Sequence, residues 1–106
     1  MRLMLDTSAV AFTVTKTPEP RRDYGKTEQR VDKSTGRPEW VVEALAMDSD
    51  GGVVIRVTVA GDQPRMTQGQ PARFESLEAI PWNNNGKSGV AFRAVSVQPA
   101  SSSKAA

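Results

Sequence analysis

The chain of 106 residues is long enough for one domain with a modest core. It contains neither cysteine nor histidine, which excludes a disulfide frame, a thiolate or imidazole metal site and an imidazole general base. We therefore expect no cofactor, no metal and no enzymatic activity. The formal net charge is only +2, but the seven basic residues from Lys16 to Arg37 outnumber the four acidic ones there by three.

The beginning of the chain carries no recognisable targeting signal. Met1–Leu5 is apolar but too short for a signal peptide, because Asp6 interrupts it. No stretch approaches the ~20 apolar residues that a membrane helix needs. These features predict a soluble, cytoplasmic protein.

Five segments have the composition and spacing of β-strands. Apolar and polar residues alternate in Val10–Thr15 and, most clearly, in Val53–Val59. Glu39–Met47 is interpreted as the hairpin partner of Val53–Val59, since the residues between them favour a tight turn. Ala72–Trp82, whose alternation breaks around residues 76 and 77, and Val90–Val97 complete the set.

Short strands at close spacing, with no convincing helix, predict a small antiparallel barrel or sandwich. We expect one all-β domain over residues 1–99. Residues 100–106 are small and polar, which predicts a disordered tail.

The segment Arg21–Trp40 is basic, rich in turn residues and almost free of aliphatic side chains. Because it cannot bury a core, we expect it to project from the domain as a wing. Basic and aromatic side chains together suit a flexible polyanion with stackable bases, although an ordinary solvated hairpin is the alternative. The candidate nucleic-acid contacts here are Arg21, Arg22, Tyr24, Lys26, Arg30, Lys33, Arg37 and Trp40.

Three further side chains are candidates outside this segment. Arg56 lies in the middle of a strand, on the face opposite an aliphatic row, and with Arg93 on the last strand it would form a phosphate track. Trp82 lies at the mouth of a hairpin that turns at residues 83–86, where it is either partly exposed or part of the core. The carboxylates that alternate along the strands are predicted to face solvent, namely Glu39, Glu43, Glu75 and Glu78.

Part of the chain is similar to a known family. Val53–Pro64 (VVIRVTVAGDQP), with the elements around it, resembles the gene V single-stranded DNA-binding proteins of filamentous phages, which are small OB-fold homodimers that coat single strands. The other matching features are the Gly36-Arg37-Pro38 turn, Glu43, Leu45, Gly69, Gly86, the strand with Arg93 and the closing Pro99-Ala100.

The resemblance implies roles for individual residues. Arg37, Arg56 and Arg93 would contact the DNA backbone, with Arg37 on a DNA-binding wing. The hairpin Asn83–Gly89 would carry a dimer contact or reach a neighbouring strand, and Lys87 would take the place of the aromatic residue that the family has there.

The sequence therefore predicts a five-stranded, OB-like barrel with a protruding basic β-hairpin wing. It would bind single-stranded DNA with little sequence preference, as a homodimer away from membranes, in replication or transfer of a phage, plasmid or related mobile element. Two alternatives stay open: the same barrel acting as a protein-interaction module with no nucleic-acid role, and a barrel that binds RNA or a small ligand.

Overall fold

The computed structural model describes residues 2–22 and 25–100; Tyr24 and residues 101–106 of the predicted tail lie outside this part. In the described part the chain forms strands and turns. The strands are β1 Leu3–Met4, β2 Ala11–Val14, β3 Glu19–Pro20, β4 Glu39–Asp48, β5 Gly51–Ala60, β6 Pro71–Glu75, β7 Glu78–Asn84, β8 Lys87–Arg93 and β9 Ser96–Pro99. Within residues 2–22 and 25–100, no helix has the length and apolar character to cross a membrane.

All of these strands belong to one curled sheet. Its order is β1-β7-β8-β5-β4-β2-β6-β9, with β3 paired to β4 off this path. Pairing is antiparallel except between β5 and β8. Because β1 and β9 lie at opposite ends of the order, the described residues form an open half-barrel. The all-β class is confirmed, whereas the predicted count of five strands is wrong.

Two of the predicted strands are divided, which accounts for two of the four additional strands, and the short strands β1 and β3 are the other two. Ser76 adopts a positive φ of 55°, and this bend separates β6 from β7. β8 ends at Arg93, and the next backbone N–H, that of Ala94, donates to the carbonyl of Thr58 at 3.1 Å. Each divided segment therefore contributes strands to two different parts of the sheet.

The predicted hairpin of β4 and β5 is confirmed along its whole length. Ten residue pairs join the two strands, from Glu39 opposite Ala60 to Asp48 opposite Gly51. The backbone N–H of Asp50 donates to Asp48 Oδ1 at 2.8 Å and closes the turn. A tight turn fixes the register of a hairpin, so the alternation of side chains along both strands follows from it.

The alternation gives the sheet an inner face and an outer face. The inner face carries the core, in which Val14, Val42 and Val57 are fully buried and the rings of Phe12 and Phe74 meet edge to face at 5.1 Å. The outer face carries the opposite set of side chains, which on β5 are Val54, Arg56 and Thr58, as predicted.

The hairpin of β7 and β8 turns at Asn85 and Gly86. Both residues have positive φ, 53° and 78°, which is the geometry of a type I′ turn. The register that follows places Trp82 opposite Gly89. Arg93 is the partner of Thr58, so Arg93, Gly89 and Trp82 belong to the outer face.

Candidate nucleic-acid interface

The wing, defined as residues 21–38, is attached to the sheet at its base. Isolated bridges join Arg22 to Gln29 and Val31 to Pro38, so the wing consists of two successive loops. The backbone of Glu39 accepts a hydrogen bond from Arg21 N and donates one to Arg30 O, both at 2.9 Å. The described residues of the wing, 21–22 and 25–38, are mostly exposed, as predicted. They form loops with isolated bridges instead of the predicted β-hairpin over Arg21–Trp40, because residues 39 and 40 begin β4 and the base of the wing is held against Glu39.

The side chain of Glu39 is buried at this base among three guanidinium groups. Arg93 Nη1 donates to Glu39 Oε2 at 2.8 Å, and the Nε atoms of Arg30 and Arg21 lie 3.6 and 3.9 Å from Oε1. Glu39 is only 4% exposed, so the prediction that it faces solvent is wrong. A carboxylate surrounded by cations can stay charged inside a protein, which is why it tolerates this position.

Arg93 also joins the wing to β8. Its Nη2 donates to Asp32 Oδ2 at 2.6 Å, so one guanidinium bridges a carboxylate of the wing and a carboxylate of β4. Burial alone would lower the pKa of Arg93, but the hydrogen bond and charge of Glu39, together with Asp32, raise it. Hydrogen bonds from Ser34, with a smaller contribution from Arg93, lower the pKa of Asp32. Both groups are therefore held in their charged forms.

Three of the predicted DNA contacts, Arg21, Arg30 and Arg93, thus lie around Glu39, and we call these four residues the Glu39 cluster. Arg21 Nη1 also donates to Thr58 Oγ1 at 3.0 Å, which brings the wing over the outer face of β5. A small cleft of about 90 Å³ lies between this cluster and Ile80, Ala91 and Phe92. Much of the positive charge of this cluster is balanced locally.

Other predicted cations have no acidic partner in the described part of the chain, namely Lys26, Lys33, Arg37, Arg56 and Lys87. Arg56 is the clearest case, because its cross-strand neighbour Glu43 is engaged elsewhere. Glu43 accepts from Thr15 Oγ1 at 2.7 Å and lies 4.0 Å from Lys16 Nζ. Arg22 donates its Nε–H to the carbonyl of Thr27.

Trp82 forms a flat apolar surface on the outer face. Its indole lies directly across Gly89, so closely that a Cβ on Gly89 would be 2.6 Å from Trp82 Cζ2. Trp82 is nevertheless 46% exposed, which leaves the side away from Gly89 open to solvent. An aromatic ring that covers a cross-strand glycine is held in place by the sheet and keeps one π-face available.

Trp40 has a different environment. It belongs to the inner face with Val42 and Ala44, it is half-buried, and its Nε1 donates to the carbonyl of Gly61 at 2.9 Å. Trp40 and Arg56 therefore lie on opposite faces of the sheet. Trp82 and Lys87 on the β7–β8 hairpin and Arg56 on β5 lie on the outer face of the sheet, whereas Trp40 lies on the inner face.

Sequence reasoning missed two residues of this surface, Glu39 and Gly89. A signal for Gly89 was present: Trp82 and Gly89 are equidistant from the Asn85-Gly86 turn, and an Asn-Gly hairpin turn predicts that such residues face each other. No local pattern marks Glu39 as buried, since its neighbours in space come from the wing and from β8. No group of three or more acidic residues within 2–22 and 25–100 is arranged to hold a metal ion.

Comparisons of this chain with models of protein families, with curated proteins and with solved structures gave no match. The resemblance to the gene V proteins is therefore neither supported nor contradicted by them.

The first testable prediction concerns Glu39. Replacing it by glutamine removes the charge that compensates three arginines at a buried position, so Glu39→Gln should lower the free energy of unfolding by roughly 3 kcal/mol. The measurement is urea unfolding followed by circular dichroism. Glu28→Gln, on the exposed wing, is the matched control and should change stability by about 0.5 kcal/mol at most. Equal effects of the two substitutions would contradict the role of the cluster.

The second prediction concerns the contact of Trp82 with Gly89. In Gly89→Ala the new methyl group must displace the indole, so the emission of Trp82 should change and the protein should lose stability. In a Trp82→Ala background the same substitution should be neutral or stabilising, because glycine is unfavourable inside a strand. A loss of stability that is the same in both backgrounds would show that the indole does not cover Gly89.

Proposed function

We propose that this protein binds single-stranded DNA with little sequence preference. The observation that supports the proposal most directly is the composition of the outer face, where an exposed indole held on Gly89 shares one side of the sheet with two cations that have no acidic partner in the described residues. Arg56 and Lys87 share this face with Trp82, and the base of the wing reaches it through Arg21 and Thr58. Flat aromatic surfaces next to mobile cations are the general means by which proteins bind unpaired bases and their phosphates.

In the proposed mechanism an aromatic side chain binds the bases and cationic side chains bind the phosphates. An unpaired base stacks on the open side of Trp82, which contributes ~1–3 kcal/mol per base. The unpartnered cations, Arg56 and Lys87 on the sheet and Lys26, Lys33 and Arg37 on the wing, contact phosphates and release counterions. Since every base has a π-face and every nucleotide a phosphate, neither interaction selects a sequence.

Arg93, Arg21 and Arg30 have a different part in this mechanism. Arg93 already donates hydrogen bonds to the carboxylates of Glu39 and Asp32, so it positions the wing instead of supplying a free charge. Arg21 and Arg30 are next to Glu39 Oε1. The negative charge of this carboxylate reduces the positive electrostatic field that the two arginines present to a phosphate. The number of phosphates neutralised should therefore be smaller than the number of basic residues in the sequence.

Duplex DNA is a poorer ligand for such a surface, because its bases are already stacked on one another and cannot reach Trp82. An RNA single strand presents the same stacking faces, so a comparison of DNA and RNA oligonucleotides of one sequence measures the preference. An OB-like architecture, and a role in replication or transfer of a phage, plasmid or related mobile element, are part of the proposal. These parts rest on the resemblance of Val53–Pro64 and the elements around it to the gene V proteins.

The third prediction tests stacking. Oligo-dT added at low salt should quench tryptophan fluorescence, and added salt should reverse the quenching. Trp82→Phe should abolish most of the quenching, whereas Trp40→Phe should retain it, because the Trp40 indole lies on the inner face and is bonded to Gly61. If no single strand causes quenching or a mobility shift, the proposal fails and a protein-interaction module becomes the better hypothesis.

The fourth prediction tests the phosphate contacts. Arg37→Gln and Lys87→Gln should each lower the slope of log K against log[salt] by about 0.7, the value for one phosphate contact on a single strand. Arg73→Gln is the matched control, since Arg73 lies on β6 and strands β5, β4 and β2 separate it from β8. A slope that changes equally in all three variants would show that binding depends on net charge alone.

A further inference from the structure

Strands β5 and β8 diverge and leave one edge of β5 open. The two strands are paired only where Val57 meets Phe92 and Thr58 meets Arg93. From that point towards their N-terminal ends, residues 51–56 have β4 on one side and no paired strand on the other, within the part of the chain that the structure describes. We call this opening the fork.

The hydrogen-bonding groups that face the fork can be identified from the register. The carbonyl of Thr58 accepts from Ala94 N at 3.1 Å, so Thr58 directs its backbone groups towards β8. Backbone groups alternate along a strand, and Gly51 directs its groups the other way because it closes the hairpin opposite Asp48. Gly52, Val54 and Arg56 therefore present their N–H and C=O groups to the fork.

This edge lacks the features that normally prevent pairing with another strand. Residues 51–55 contain no proline and no charge, and two of the β-branched side chains are well exposed, Val53 at 61% and Val54 at 53%. Sheet edges without such protection are sites at which another strand is added. We propose that a second copy of this chain occupies the fork, with its β5 antiparallel to the first, and this proposal does not depend on DNA binding.

The fork determines the register of the two strands. Val57 and Thr58 already have β8 beside them, so a second strand can pair only as far as Arg56. When the second strand extends into the fork as far as this limit allows, the two-fold axis lies at Val53, and Val53 of one copy faces Val53 of the other. Val54 then lies opposite Gly52 of the second copy, and Arg56 lies opposite Asp50. An axis at Val54 would place Asp50 of the second copy against Thr58, a position that Arg93 holds.

The register with its axis at Val53 also places opposite charges next to each other. Arg56 has no ion pair within the described residues, and the carboxylate of Asp50 has none either. In the proposed dimer these two side chains form one ion pair at each end of the shared strand pair, as the self-complementary surface of a two-fold dimer requires. The axis is perpendicular to the sheet, so the outer faces of both copies lie on the same side. In the dimer Arg56 is paired with Asp50, so the cations that remain without an acidic partner among the described residues are Lys26, Lys33, Arg37 and Lys87.

A single cysteine provides a direct test, because the natural sequence has none. Val53 would face its counterpart as a non-hydrogen-bonded pair, with Cα atoms ~4.5 Å apart, which is within the range for a disulfide. Val53→Cys should therefore form a covalent dimer under mild oxidation. Val95→Cys, at an equally exposed valine outside the fork, is the control and should cross-link far more slowly. Equal rates for the two variants would overturn the proposal.

A charge exchange tests the register by sedimentation equilibrium without DNA. Arg56→Asp and Asp50→Arg alone should each weaken the dimer by roughly tenfold, because like charges then face each other at both ends. The double variant Arg56→Asp/Asp50→Arg should restore the dimer. A wild-type protein that stays monomeric at the highest concentration reached, or a dimer whose dissociation constant is the same in all four proteins, would overturn the proposal.

Discussion

The arrangement of this molecule depends on one buried charge, the carboxylate of Glu39. Glu39 is the first residue of β4, and Arg21 and Arg30 from the wing and Arg93 from β8 surround it. Removing a carboxylate from water is costly, and several cations at short range compensate for that cost. Because these cations come from the wing and from β8 and the carboxylate comes from β4, the compensation holds the wing, the central hairpin and β8 in one arrangement. Asp32 extends the cluster by binding the same guanidinium of Arg93.

This cluster divides the basic residues into two groups with different physical roles. Arginines that neutralise Glu39 and Asp32 serve the fold, and cations without acidic partners in the described residues remain for a ligand. Of the second group, Arg56 and Lys87 share the outer face with Trp82, whose indole is fixed on Gly89, and the other members lie on the wing. A count of basic residues would overestimate the charge that this surface offers to a polyanion, since a carboxylate within 4 Å cancels much of the field of its partner.

Because of the fork, the two halves of β5 have different surroundings. Towards its C-terminal end it is covered on both sides, and its inner face contributes Val57 and Val59 to the core. Towards its N-terminal end it has one free edge, an apolar surface and a single cation. The divergence of β8 from β5 allows Trp82 and Gly89 to stand on a separate hairpin, and it also exposes the edge at which a second copy can pair. A dimer of this form would combine two outer faces into one surface.

The sequence alone determined the all-β class, the β4–β5 hairpin and the inner and outer sides of β5, because alternation and turn chemistry are local properties. It also named Trp82 and the basic residues as candidates, but it did not distinguish Trp82 from Trp40, or the cations without an acidic partner from the arginines around Glu39. Only the tertiary structure decided that Glu39 is buried, that Arg93 bridges two carboxylates, and that Trp40 and Trp82 lie on opposite faces. The physical reason is that burial and charge compensation depend on residues distant in the chain: 54 positions separate Glu39 from Arg93, and no local pattern encodes that pairing.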